Sequence, residues 1–398
     1  MLLPLATRNF RLYWIGRTIS VAGDQFQTVA LAVTALDVTH SASGLGTVLM
    51  VQAVPRAVLM LFGGAATDRF RARTVMLVSD ALQMLIVATL AVLAWRGALT
   101  LWELAAYAAL SGTVYAFFLP ASNTIVPDLV PRDRVLQANA LTNTAFNLSL
   151  FLMPPLAGAV VARYGAGPAF SINAVSFLGS VGTLYLVRVP NVATRPGGAV
   201  SPFRQIGRSI AAARRDTPTW LTIGLAVFYC FGFQGATAVG IPALAKLTLG
   251  AGDPGVGLLY GARGAGALIG CLLVANLGGR KGLLGCGAIL GISVTVAAGG
   301  LAPTLWSAAA VFALSGLFGA SVGTIFFSLV QTRAPDEDRG GIMALVTLAI
   351  FGLSPLAYGL AGLAAAALNP RAVLVAGGLL MAIAGIWGLS NQEMRAAD

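Results

Sequence analysis

A carboxylate, Asp24, interrupts the apolar stretch "ISVAGDQFQTVALAV" at residues 19–33. Counted from Arg17, the residues Ser20, Asp24, Gln27 and Thr28 follow at i+3, i+7, i+10 and i+11, a spacing that puts all five side chains on one face of a helix. Three chemistries are open to an acid on such a face. It can keep a permanent ion pair with a guanidinium, load a proton whenever that pair breaks, or touch a cationic substrate. Similar groups recur along the chain. Asn139, Asn143 and Asn147 share a helical face, Tyr229, Phe233 and Gln234 cluster in sequence, and the charges Arg56 and Arg263 stand in apolar surroundings. Amides, aromatics and a few charges make a pocket for a large amphipathic ligand rather than for a bare inorganic ion. The uncharged members can equally serve as glue between helices.

Such side chains need elements that hold them in a membrane. The chain has 398 residues, 57% of them hydrophobic and only 10% charged, with mean hydropathy +0.83, far from soluble composition. Apolar segments long enough to cross about 30 Å of hydrocarbon recur at 11–37, 42–67, 74–95, 101–125, 135–163, 167–188, 218–247, 255–277, 282–302, 304–330, 341–367 and 371–390. These twelve spans predict an all-α polytopic membrane protein. No cleavable signal pattern precedes them, so the first is expected to be retained. An inside N-terminus puts 18 of the 25 Lys and Arg residues in cytoplasmic segments, as positive loops prefer. The charge of +11 therefore reads as topology and affinity for anionic lipid, not as a nucleic-acid site. The cysteines Cys230, Cys271 and Cys286 fall in spans as small apolar residues, and the one histidine, His40, falls in an external turn. Neither pattern points to a metal, and no cofactor is expected.

A polar stretch at 189–217 divides the sequence into a first bundle at 1–188 and a second at 218–398. Within it Phe203, Ile206, Ile210 and Ala213 recur opposite Arg204, Arg208 and Arg215, predicting an amphipathic helix on the cytoplasmic leaflet. The halves repeat. At an offset of 204, residues 110–158 match 314–362 at Ser111/Ser315, Gly112/Gly316, Pro131/Pro335 and Gly158/Gly362, among others. At an offset of 211, Gly44, Gly46 and Arg69 meet Gly255, Gly257 and Arg280, and Gln52 aligns with Arg263. Glycines in span eight, Gly261, Gly264, Gly266 and Gly270, allow close helix approach.

The stretch "GAATDRFRAR", Gly64–Arg73, resembles the G-x-x-x-D-R-x-G-R-R signature of the major facilitator superfamily. It matches at Gly64, Asp68, Arg69 and Arg73 and departs at Arg71, where the pattern has glycine, and at Ala72. "MPPLAG", Met153–Gly158, is similar to the antiporter kink of that family at Pro155 and Gly158, with Pro154 in place of a glycine. The first half, with "FFLPASNTIVPDLVPRDRVLQANAL", resembles the drug:proton antiporter branch containing macrolide-efflux proteins and the enterobactin exporter. The resemblance implies a twelve-helix major facilitator fold in two six-helix halves. It also implies alternating access, with an amphipathic compound exported in exchange for protons. Residues Gly64, Asp68, Arg69 and Arg73 would then act as a cytoplasmic gate. Asp68 would meet a helix N-terminus near Gly340 and Gly341, and the arginines would hold carboxylates such as Asp128 or Asp133.

Asp24 and Arg56 lie 12 or 13 residues from a cytoplasmic helix end, about 18–20 Å deep at 1.5 Å per residue. An unpaired charge there costs roughly 3 kcal/mol. The two are expected to pair with each other or with Arg17 or Arg263. Asp80 is expected close to the cytoplasmic end of span three, where it can join the cytoplasmic charge network, and Glu103 at the outer end of span four, in solvent. The reading is a secondary transporter for multidrug or siderophore-type efflux, acting as a monomer in a bacterial inner membrane with both termini inside. An importer or lipid flippase of the same fold is the alternative. A membrane enzyme would need clustered acids or histidines, and a scaffold would ordinarily carry a soluble effector domain.

Overall fold

The computed structural model describes residues 3–189, 202–274, 279–335 and 338–398, and the side chains of Leu61, Ala65, Asp68 and 202–206 fall outside the described set. Among the described residues twelve helices are long and apolar enough to cross a membrane. They are α1 (Arg8–Thr39), α2 (Ala42–Phe70), α3 (Ala72–Trp95), α4 (Leu101–Thr124), α5 (Val135–Tyr164) and α6 (Ala166–Leu186), then α7 (Thr217–Thr248), α8 (Gly252–Val274), α9 (Lys281–Leu301), α10 (Leu305–Arg333), α11 (Arg339–Ala367) and α12 (Pro370–Ser390). They correspond in order to the twelve spans of the sequence. No strand occurs among the described residues, as expected where every backbone group must be satisfied without water.

The chain forms two compact units. One gathers α1, α2 from Val51 onward, and α3 to α6; the other takes Ser41–Met50 together with the linker helix and α7 to α12. Polar chemistry sets several helix ends. At the start of α4, Thr100 and Glu103 form a reciprocal capping box, and at the start of α10 Thr304 and Ser307 do the same. The two boxes are 204 residues apart, the offset of the repeat. Glu103 is thus a cap whose carboxylate accepts from the Thr100 backbone N–H at 3.0 Å, satisfying a donor the helix leaves open. Two long helices are not uniform. α7 contains π-helical turns at Cys230–Gly235 and Leu244–Thr248, and α11 contains one at Leu348–Gly352.

Glycines bring helices together at equivalent places in both units. A Cβ added to Gly112 of α4 would run into the backbone carbonyl of Gln52 in α2, and one on Gly316 of α10 would run into that of Arg263 in α8. Both pairs, Gly112/Gly316 and Gln52/Arg263, are matched positions of the repeat. Gly266 and Gly270 extend the contact along α8, facing the backbone of Ala313 and Leu317.

The described part of the linker helix, Pro202–Ala213, packs one side against protein. Ser209, Ala212 and Ala213 are buried, the last two in a cluster with Val330, Ala334, Ile342 and Val346. Small side chains explain the docking: Gly341 backs directly onto Ser209. An ion pair from Arg208 to Asp338 at 3.3 Å fastens one end. The other end is held by Asp216, which accepts a forked bond from Arg333 (2.6 Å at the shortest) and caps α7 by accepting from the Thr219 N–H at 3.0 Å. Burial pushes the Asp216 carboxyl up, but hydrogen bonds from Arg333 and Thr219 outweigh it and hold it below the usual carboxylate range. Phe203, Arg204 and Ile206, read in sequence as parts of this amphipathic helix, have side chains outside the described set.

Candidate functional site

The polar face of α1 is set in place by α6. A Cβ on Gly23 would fall 2.5 Å from Asn173 Oδ1 and 2.6 Å from Ser176 Cβ, and one on Gly16 would fall 3.3 Å from Ser180 Cα. Small residues seven apart on α1 thus meet Asn173, Ser176 and Ser180, which follow i, i+3, i+7 on α6 and form the facing stripe.

A cavity of about 210 Å³ opens inside this bundle, and Arg17, Ser20, Asp24, Gln27 and Thr28 all line it. Gln52 and Arg56 of α2 line it too, as do Asp80 and Gln83 of α3, Tyr107 and Ser111 of α4, and Asn173 of α6. A hydrogen-bonded network binds the wall. Ser180 Oγ donates to Asp80 Oδ2 at 2.6 Å, and Gln83 Nε2 donates to the carbonyl of Ser111 at 3.0 Å. Asn173 donates from Nδ2 to Gln27 Oε1 at 3.4 Å and also hydrogen-bonds Asp24. Thr28 turns its hydroxyl to the carbonyl of Asp24 at 2.8 Å.

A second cavity, of about 430 Å³, adjoins the first and shares Arg17, Val21 and Phe146 with it. Tyr13, Trp14, Asn123, Asn139 and Asn143 line this larger space. Asn147 instead bonds back to the carbonyl of Asn143 at 3.0 Å. Arg17 therefore stands at the boundary of two compartments. Its guanidinium lies over the ring of Phe118 at 5.0 Å, and its charge acts on both Asp24 and Asp80.

In the other unit Arg263 lies over the Phe233 ring at 4.9 Å, Phe233 meets Tyr229 at 5.0 Å between centroids, and Gln234 Nε2 donates to Tyr358 Oη at 2.8 Å. Phe233 and Gln234 belong to a π turn of α7, a distortion that often marks functional sites. The sequence cluster Tyr229, Phe233, Gln234 and Arg263 is thus a physical cluster in the second unit.

The gate motif is described in part. Asp68 lies outside the described side chains. Gly64 has open space where a Cβ would stand, and Arg69 lies over the ring of its neighbour Phe70 at 5.4 Å. Arg73 donates to the carbonyls of Leu184 and Tyr185 at 3.0 and 2.8 Å, tying α3 to the end of α6 rather than holding a carboxylate. Arg71 occupies φ +64°, a conformation that favours glycine, and this is the position where the signature has one. Pro154 and Pro155 lie inside α5, and Gly158 is buried one turn on.

Two groups escaped the reading of the sequence. Asp80, expected close to the cytoplasmic end of span three, is a buried wall residue of the smaller cavity, and Asn173 with Ser176 and Ser180 forms a polar stripe on α6. The i, i+3, i+7 spacing of Asn173, Ser176 and Ser180 carries a signal of that stripe, whereas the inward direction of Asp80 shows only in the cavity that it lines with Gln83.

A profile of the Major Facilitator Superfamily matches residues 13–355. The multidrug efflux pump Tap of Mycolicibacterium fortuitum is 26% identical over 391 residues, covering 95% of this chain and 94% of that one. The enterobactin exporter EntS of Citrobacter koseri is 25% identical over 383 residues, covering 95% and 90%. Among solved structures, a bacterial homologue of the human lysosomal transporter Spinster superposes with a TM-score of 0.72 at 14% identity, over 98% of this chain and 97% of that one. The match spans most of the twelve-helix fold, so the chain is an integral membrane transporter, not an enzyme, and belongs to the Major Facilitator Superfamily.

Proposed function

We propose that this transporter exports amphipathic small molecules of drug, macrolide or siderophore type in exchange for protons, by alternating access. It acts as a monomer in a bacterial inner membrane, with both termini inside and a basic inner rim on anionic lipid. The observation that carries the reading is that Arg17 lines both cavities, the smaller holding Asp24 and Asp80 and the larger having no acid among its lining residues. While Asp24 is charged it draws Arg17 toward the smaller cavity, and the larger one is left to the substrate. A proton on Asp24 cancels that attraction, and the freed guanidinium turns into the substrate's space. Proton and substrate thereby exclude each other, and linkage makes the exclusion reciprocal. The names of the relatives, an efflux pump and an exporter, support outward transport.

The sign of the mechanism ranks substrates. A neutral or cationic amphiphile is displaced by the arriving guanidinium, whereas an anion would pair with it and travel with the proton. The test is Asp24→Asn in proteoliposomes offered dyes, macrolides and siderophores. Flux that loses its response to a pH gradient supports the reading, and unchanged gradient-driven export in the variant sinks it.

A further inference from the structure

Asp80 is a buried acid that this coupling does not use. It is 1% exposed; Oδ2 accepts from Ser180, while Oδ1 has no hydrogen-bond partner among the described residues. Two more atoms on the same cavity wall share that condition, Ser20 Oγ on a residue 1% exposed and Gln27 Nε2 on one 6% exposed. Orphan polar atoms are rare in native interiors, and three around one space point to a small polar occupant. At about 210 Å³ the space falls below the range for drug-sized ligands and admits several waters at about 30 Å³ each.

The groups that surround Asp80 narrow the occupant. Arg17, Asp24 and Tyr13 face it from α1, Arg56 from α2, Tyr107 and Tyr115 from α4, and α6 presents Ser180. Arg17 is a common counter-ion to Asp24 and Asp80. Two carboxylates that line one cavity and repel each other are better served by sharing a proton than by both ionising. A proton on Asp80 Oδ1 turns an orphan acceptor into a donor, able to hydrogen-bond water in the cavity that Asp24 also lines.

We propose that Asp80 and Asp24, with Arg17 as their common counter-ion, form one proton-holding pair enclosed within the first unit. The proton moves between Asp80 Oδ1 and the Asp24 carboxylate; the acid that gives it up keeps the negative charge, and Arg17 follows that charge. The pair rests on the proton-coupled reading and adds to it a second proton-binding residue. It also assigns Ser20 and Gln27 as ligands of bridging water.

The test needs no substrate. Infrared difference titration of the purified protein in lipid reads the protonated-carboxyl band against pH. The wild type is expected to show the signal of one shared proton. Asp24→Asn and Asp80→Asn should each leave one titrating acid with its midpoint displaced by about one pH unit, and the double variant should lose the signal. Asp80→Glu, which keeps an acid in place, should retain it, and thermal unfolding confirms that each variant is folded. A signal in Asp80→Asn with wild-type midpoint and amplitude overturns the pair. Gradient-driven flux of the dyes and macrolides used above separates the two ideas. A shared infrared signal with flux indifferent to pH leaves the pair standing and removes the coupling. Flux lost in Asp24→Asn but intact in Asp80→Asn, with the signal unmoved by the second change, keeps the coupling and removes the pair.

Discussion

Arg17 is the side chain on which the proposed coupling turns, because it borders both compartments and rests on the face of Phe118. Arg17→Gln should reduce gradient-driven efflux by about 10- to 100-fold, the size of a lost charged hydrogen bond. Arg17→Lys keeps the charge but not the planar stack and should fall between the two. Initial rates in proteoliposomes check both, and equal rates for Arg17→Gln and the wild type would remove Arg17 from the mechanism. The α1 face was legible from spacing alone, since a helix fixes which residues share a side. Asp80 was not. Its place eight residues after Ala72, about 12 Å along the helix axis, gives depth but not direction, and only the partners Gln83 and Ser180 show that it points inward.

At the scale of elements, the repeat was legible because the same small residue recurs where backbones touch. Gly112→Ala and Gly316→Ala would each press a methyl against a backbone carbonyl, which cannot rotate away. Each should lower thermal stability by about 1–3 kcal/mol. Gly323→Ala, with open space around it, should be neutral or raise stability by up to about 1 kcal/mol, since alanine favours a helix. A stabilised Gly112→Ala would refute the shared contact. Arg71→Gly tests the departure from the signature: relieving φ +64° should stabilise by about 1 kcal/mol, and a destabilised variant would contradict the strain.

Less legible was the linker helix. Periodicity identified its apolar face, but a leaflet and a protein surface both accept such a face. The small residues Ser209, Ala212 and Ala213 are what fit it against the rest of the second unit. Asp216 gives that docking a pH signature. Because its carboxyl is held low in the folded protein, its contribution is present above the ordinary aspartate value and is lost as pH falls through the folded one. Asp216→Asn keeps an oxygen that can cap α7 but loses the ion pair, so it should melt earlier than the wild type at pH 7, by up to about 1 kcal/mol. The gap should close in acid, and a gap that persists unchanged there would show that the charge of Asp216 is not what holds the linker.

For the whole molecule, twelve spans and their order followed from composition and length, because a bilayer leaves few ways to satisfy a backbone. Cavity sizes did not follow, since they depend on which glycines and serines meet. Both spaces are lined by aromatics and amides, but the acids Asp24 and Asp80 line only the smaller one, and this confinement of the acids underlies the proposal that proton and substrate compete through Arg17. The direct measurement is flux of dyes, macrolides and siderophores in proteoliposomes with and without an imposed pH gradient, while internal pH is followed. Gradient-dependent flux is expected, with protons moving opposite to the substrate and faster transport of neutral and cationic amphiphiles than of anionic ones. Flux of the same size without a gradient, or protons moving along with the substrate, would contradict it.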